Sequence, residues 1–221
     1  MNLPDTLLGE GWYWAAWLVW IPLFVRSVWR APWGRLKTSE HLHLWLGMNV
    51  VLILLWSMQA GVQPGLNLHL LGATVFTLCF GPQLAFVGLS LVAAAVAFNS
   101  GSGWLAYAAN TVLGAGVGIG LSQFLYRLLS AALPRHLFVY IFANGFFAAA
   151  LAVIGVGFVV SVLLAVAGAY TWDYLFTEYF PYFILLGFAE AWLSGMAMTL
   201  FVVYRPGWVA TFDDAHYLAN K

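Results

Sequence analysis

Few side chains of this 221-residue sequence could do chemistry, and they are far apart along the chain. His69 stands at the start of an apolar run, where it either contacts a ligand or hydrogen-bonds a loop carbonyl. Glu190 lies inside the apolar stretch LLGFAEAWLSGMAM. A carboxylate in lipid is costly unless it faces other helices and finds a partner. The chain opens with MNLPD, so Met1 and Asn2 form either an unstructured leader or part of a site.

Three asparagines could belong to the same pocket or to helix packing. Asn67 is two residues before His69 and could face the same pocket. Asn110 and Asn144 lie inside apolar runs, where amide side chains commonly hydrogen-bond between helices. For Glu190 we favour a structural hydrogen bond to a polar group such as Asn110 or Asn144 over a cation path or proton relay.

Other patterns carry less weight. EHLH at 40–43 has metal-binding residue types, but a solvated loop beside a helix start is the simpler interpretation. The glycines at 114–120 lie in an apolar run with no P-loop lysine, which favours close helix packing. The single cysteine, Cys79, excludes a disulfide framework within the chain. No Ser/His/Asp set or carboxylate pair can be placed on one side of a membrane, so we predict no enzyme activity.

Composition places the chain in a membrane. Its residues are 63% hydrophobic and 7% charged, against about 25% charged in soluble domains. A net charge of zero argues against a nucleic-acid surface. The 12 tryptophans and 10 tyrosines suit the aromatic belts where spans meet the lipid–water boundary, so membrane lipid is an expected partner.

The predicted fold is an all-α, polytopic membrane bundle of about seven transmembrane helices. A span needs about 20 mostly apolar residues. Seven runs separated by polar or Gly/Pro-containing segments are candidates: 12–29, 44–60, 68–80, 83–98, 104–129, 137–169 and 182–204. The run 137–169 is long enough for a tilted helix or for a span plus a re-entrant piece.

Charge predicts the orientation. With the N-terminus outside, seven spans place all eight basic residues on one side, which the positive-inside rule makes cytoplasmic. The opposite side carries Asp5, Glu10, Asp173 and Glu178. The C-terminus is then cytoplasmic, and His69 is the histidine that lies toward the outer face. We predict one transmembrane domain, 1–206, and a short cytoplasmic tail, 207–221.

Four segments in order resemble one family. MNLPD resembles the MHIPDG start of the CbiM/NikM-type substrate-capture components of energy-coupling-factor cobalt and nickel transporters. GLNLHLLGATVFTLCFGP is similar to its SGHLLG…GP segment, and WLAYAANTVLGAGVG to its LxxxGAN helix. FAEAWLSGMAMTLFVVYRP resembles its closing EGLxTxxVxxYxR span. The resemblance covers residues 1 to about 206 and implies a multi-pass protein of a bacterial-type inner (plasma) membrane.

The resemblance also implies a site. In the family the metal is held near the outer surface by the amine of residue 1, by a histidine at position 2 and by the histidine of the HLLG segment. Met1 and His69 match, whereas position 2 is Asn2, a weaker donor. Nitrogen donors of this type suit Ni, Co, Cu or Zn. Asn110 becomes a candidate for fixing the second ring nitrogen of His69, with Asn67 and Glu190 nearby in the pocket.

The leading function is therefore capture of a transition-metal ion for uptake. The chain has no ATP-binding motif, so the resemblance implies a separate ATPase and a transmembrane coupling subunit, unless the chain acts alone or with other membrane subunits. The alternative is a non-transporting subunit that stabilises a larger membrane complex. A third possibility is capture of an organic ligand in a pocket near Trp104 and Tyr107.

Overall fold

The computed structural model describes residues 2–61, 63–100, 103–213 and 217, and the regular structure of these residues is almost entirely helical. The all-α prediction is confirmed. Six long helices follow one another along the described residues: α1 (Glu10–Arg30), α2 (Ser39–Ser57), α3 (Ala73–Ser100), α4 (Tyr107–Ala132), α5 (Leu137–Val166) and α6 (Trp172–Tyr204). Two-residue strands β1 (Ala60–Gly61) and β2 (Asn67–Leu68) pair antiparallel between α2 and α3.

Four helices, α3 to α6, are long and apolar enough to cross a membrane. This is the expected form in lipid, because a helix satisfies its backbone groups internally. Three of them contain a π-helical stretch: Thr111–Gly116 in α4, Tyr140–Phe147 in α5 and Leu175–Tyr179 in α6.

The element boundaries differ from the predicted runs. The runs 68–80 and 83–98 fall in one element, α3, so the described residues form six long helices where we predicted seven. The run 137–169 is a single helix that ends at Val166. The last helix begins at Trp172, ten residues before the predicted start, because aromatic residues and a π-helical turn extend it.

α3 is broken at Gly81 and folds back on itself. Gly81 has φ 80° and ψ 165°, a conformation that glycine adopts readily, and Pro82 has no N–H with which to continue the helix. A methyl group placed on Gly88 would lie 2.6 Å from the Phe76 ring. In a straight helix, residues 12 apart would be separated by about 18 Å. α3 is therefore a hairpin of a short arm, 73–80, and a long arm, 82–100.

The C-terminal segment, residues 206–213, packs against the break in α3 and hydrogen-bonds to the carbonyls that precede it. In an unbroken helix the Leu78 carbonyl would accept from the N–H of residue 82, which proline lacks. Instead it accepts from the backbone N–H of Thr211 at 3.2 Å and from the Thr211 hydroxyl at 3.0 Å. The Cys79 carbonyl accepts from the Ala210 N–H at 3.1 Å. Packed structure thus continues past residue 206, and the buried Phe212 belongs to the core.

The EHLH segment holds the C-terminal segment in place. Glu40 accepts from the Trp208 indole N–H at 2.6 Å, and His41 Nε2 lies 3.0 Å from the Gly207 carbonyl. Arg35 donates to the same carbonyl at 3.1 Å. The interpretation of 40–43 as a solvated loop is therefore wrong, because these residues lie in the first turns of α2 and their polar groups contact a segment that is distant in sequence.

Candidate functional site

Residues 2–8 are folded into the bundle. The side chain of Asn110 holds the backbone of Leu3 at both polar groups: the Leu3 N–H donates to Asn110 Oδ1 at 2.7 Å, and Asn110 Nδ2 donates to the Leu3 carbonyl at 3.0 Å. A side-chain amide can pair with a backbone in this way because it carries one acceptor and a donor side by side. The Leu3 side chain is completely buried. The segment that begins at Asn2 is therefore packed against the helices and is not an unstructured leader.

Tyr13 fixes the turn that follows. Its hydroxyl donates to the Pro4 carbonyl at 2.5 Å and accepts from the Leu8 N–H at 3.1 Å. The Leu7 N–H closes the turn on the Pro4 carbonyl at 3.2 Å. The Tyr13 ring is fully buried, so the start of α1 anchors the segment that precedes it.

Asp5 ties the same segment to the loop before α4. Its Oδ1 accepts from the Ala106 N–H at 2.6 Å. The carboxylate lies against Gly103, where a methyl group would come within 1.8 Å of Oδ2. Gly103 also has φ 95°, which favours glycine. No side chain larger than hydrogen fits at 103 while Asp5 keeps this position.

The opening residues also contact the loop that carries His69. A methyl group on Gly65 would lie 2.6 Å from Leu7 Cδ2 and 3.2 Å from Leu3 Cδ2. Across the β1–β2 pair, Asn67 faces Gly61. On the far side of this loop, the Tyr170 hydroxyl donates to the Pro64 carbonyl at 2.8 Å. Burial raises the pKa of Tyr170, and the neighbouring Tyr174 adds to the rise, so this phenol stays a neutral donor.

His69 is buried in the part of this loop between β2 and α3. It is 9% exposed, and its ring lies 4.7 Å from the Trp56 ring. Nδ1 is 3.0 Å from the Leu70 carbonyl, which can only accept, so Nδ1 carries the hydrogen. A neutral ring in this tautomer has its lone pair on Nε2. The Trp56 indole donates to the Leu71 carbonyl at 3.1 Å and braces the next turn.

Glu190, which lies on α6, hydrogen-bonds to the end of the loop that carries His69. Its two carboxylate oxygens accept from consecutive backbone amides, Oε2 from Leu71 at 2.8 Å and Oε1 from Gly72 at 2.6 Å. These amides belong to the two residues that precede α3, and a carboxylate beside the start of a helix is stabilising. Glu190 is 2% exposed. It thus has the structural hydrogen bonds that we favoured, but the proposed partners Asn110 and Asn144 are wrong.

The predicted site residues are partly brought together. Met1 lies outside the described residues. Asn2 is half-buried, and its Nδ2 donates to Ser100 Oγ at 3.1 Å. The ring nitrogen of His69 is fixed by Leu70 and not by Asn110. Within the described ranges, no three His, Cys, Asp or Glu side chains form a metal-binding group.

Sequence reasoning missed the residues that hold the opening segment. These are Asp5, Tyr13 and Gly103. It also missed Trp56, whose ring lies beside His69. Gly103 stands in NSGSG, a visible turn signal, but its need for glycine depends on the approach of Asp5, 98 positions earlier. Tyr13 and Trp56 look like members of an aromatic belt in a sequence that contains many such residues.

The long apolar helices and the inward-folded residues 2–8 define a multi-pass integral membrane protein. The family model described as the cobalt uptake substrate-specific transmembrane region, CbiM, matches residues 2–208, and the chain belongs to this family. The resemblance noted in the sequence is thereby confirmed. The chain is a component of a membrane transport system and not an enzyme.

Two solved structures share the fold. One is described as the crystal structure of a truncated transition metal transporter; it is 16% identical, with a TM-score of 0.79, and the match covers 92% of this chain and 99% of that chain. The other, described as a transition metal transporter, is also 16% identical, with a TM-score of 0.77 and coverage of 90% and 91%. A comparison with curated proteins found no match.

Proposed function

We propose that this protein captures a transition-metal ion for uptake, holding it between the amine of Met1 and Nε2 of His69. Asn2 completes or tunes the site. Membership of the cobalt-uptake family supports the general role. The titles of the two structural neighbours, both transition metal transporters, agree with it.

The main support for the proposal is the pair of hydrogen bonds between the Asn110 side chain and the Leu3 backbone. It fixes the third residue of the chain at both backbone polar groups. The neighbouring contacts of Leu3 and Leu7 with Gly65 place that residue beside the loop that leads to His69. An unanchored terminus would lose conformational freedom when it bound an ion, whereas a preorganised one has already lost most of it.

The donors suit borderline metals. A terminal amine and the lone pair of a neutral imidazole are nitrogen ligands favoured by Ni, Co, Cu and Zn. The backbone nitrogen of Asn2 could complete a chelate ring with the amine, since the next amide, that of Leu3, is already bonded to Asn110. Asn2 offers a weak side-chain donor where the family pattern has histidine. We expect lower affinity for Ni²⁺ and Co²⁺ and keep Cu²⁺ and Zn²⁺ as candidate ions.

The hairpin of α3 supports a seven-crossing arrangement with the N-terminus outside and the C-terminus cytoplasmic. In this arrangement the loop 63–72 and the short arm together make the third crossing, and the long arm makes the fourth. Glu190 would then meet the loop within the bilayer, since it lies in the middle of α6. Transport itself would need a separate ATPase and a transmembrane coupling subunit.

Thermal unfolding of the purified full-length chain with Ni²⁺, Co²⁺, Cu²⁺ or Zn²⁺ tests the proposal. At least one ion should stabilise the protein, by about 2.7 kcal/mol when it is present at 100 times its dissociation constant. The stabilisation should disappear in His69→Gln and persist in His43→Gln, which changes an exposed histidine of α2. If none of the four ions stabilises the native protein, the chain is better assigned as a structural subunit.

A further inference from the structure

A groove of about 360 Å³ lies at the end of the bundle where α1 carries its arginines. One wall is α1, with Leu23 and Arg26, and the other is α4, with Gly116 and Gly120. The start of the long arm of α3 forms the floor through Gln83 and Phe86. Most of its lining residues are apolar or glycine, and its polar side chains are those of Arg26, Ser27 and Gln83.

Two glycines of the 114–120 series make this groove deep. A methyl group on Gly120 would meet nothing within 4 Å, and one on Gly116 would make only ordinary van der Waals contacts, the nearest with the Phe86 ring at 3.5 Å. Gly118, in contrast, packs closely, because a methyl group there would lie 2.5 Å from Leu71. We predicted close helix packing for the whole series. Close packing explains Gly118, but it does not explain Gly120, which has open space beside it.

Arg26 gives the groove its charge. The side chain is exposed and, among the described residues, takes part in no ion pair or hydrogen bond. It lies four residues, or about 6 Å, before the end of α1 at Arg30. From this depth an arginine reaches the headgroup layer while its stem covers apolar surface. Gln83 adds a neutral polar group to the same groove.

We infer that this groove binds one anionic glycerophospholipid, with an acyl chain along Gly116 and Gly120 and the phosphate at Arg26. A mostly apolar groove whose lining includes an unpaired cation matches the two parts of such a lipid. Basic pockets between membrane helices commonly bind anionic headgroups. The site is separate from the proposed metal site, so either assignment can fail without the other.

Native mass spectrometry of the full-length chain released from nanodiscs tests this inference. The nanodiscs contain equal parts of phosphatidylglycerol and phosphatidylcholine. The native protein should retain phosphatidylglycerol at least fivefold over phosphatidylcholine, and Arg26→Gln should remove about that factor, which corresponds to the roughly 1 kcal/mol typical of one basic residue at a lipid surface. Gly120→Leu, which fills the groove, should reduce retention of both lipids.

A matched control is Gly47→Leu. Gly47 is also a helical glycine with nothing within 4 Å of its added methyl group, but it lines a different groove, between α2 and α6. It should retain lipid like the native protein. Equal retention of both lipids, or native-like retention in both Arg26→Gln and Gly120→Leu, would overturn the inference. So would displacement of the bound species by inorganic phosphate, or a bound mass equal to a second copy of the chain.

Discussion

Replacing Glu190 with leucine is expected to destabilise the protein by about 2–6 kcal/mol and to lower metal affinity at least 100-fold. The change leaves the buried N–H groups of Leu71 and Gly72 without an acceptor, and each unsatisfied group costs about 1–3 kcal/mol. The loop that ends at these amides carries His69, so its imidazole would lose its fixed position. Thermal unfolding and metal titration of the purified chain measure the two effects.

Two variants sharpen this test. Glu190→Gln keeps the shape and one good acceptor, so it should fall between leucine and the native protein. Glu178→Gln removes an exposed carboxylate from the same helix and should change stability by less than about 0.5 kcal/mol. Native-like metal affinity in Glu190→Leu would show that Glu190 does not position His69.

Substituting alanine for Gly103 is expected to release the opening segment and to weaken metal binding at least 30-fold. The new methyl group would come within 1.8 Å of Asp5 Oδ2, and alanine is strained at φ 95°. Asp5 would have to move, and its bond to the Ala106 N–H would be lost. Hydrogen exchange of residues 2–8 should rise together with the dissociation constant for the metal.

The matched control is Gly9→Ala, since Gly9 precedes α1 with φ −62° and has open space around its added methyl group. It should bind metal like the native chain. In a double-mutant cycle, Asp5→Ala should weaken binding by itself and add little to Gly103→Ala, because both changes break the same contact. Additive effects would mean that Gly103 acts by a route that does not involve Asp5.

The helical class and most helix positions could be predicted because long apolar runs in lipid have few alternatives. The hairpin of α3 could not be predicted from the sequence. Gly81-Pro82 indicates an interruption, but the run 68–80 before it looks like a short span. The contact of Phe76 with Gly88 shows that the chain turns back there.

Two polar residues near the candidate site could be identified from the sequence, but their partners could not. The sequence singled out Asn110 and Glu190 as polar groups in apolar helices that need partners. The partners of Asn110 proved to be the backbone groups of Leu3, and those of Glu190 the backbone amides of Leu71 and Gly72 together with the Ser194 side chain. Backbone groups are identical at every position, so no sequence pattern distinguishes the ones that are left open. The amides of Leu71 and Gly72 lie just before α3 begins, and the Leu3 groups lie just before the turn at Pro4.

In the proposed function, the amine of Met1 binds the metal ion together with His69. Calorimetric titration with the most stabilising ion tests it on three proteins: one that begins at Met1, one with a single glycine added before Met1, and one with a glycine added after Lys221 as the control. We predict one ion per chain for the first and third proteins, and at least 100-fold weaker binding for the second. Equal affinity in all three would contradict the claim.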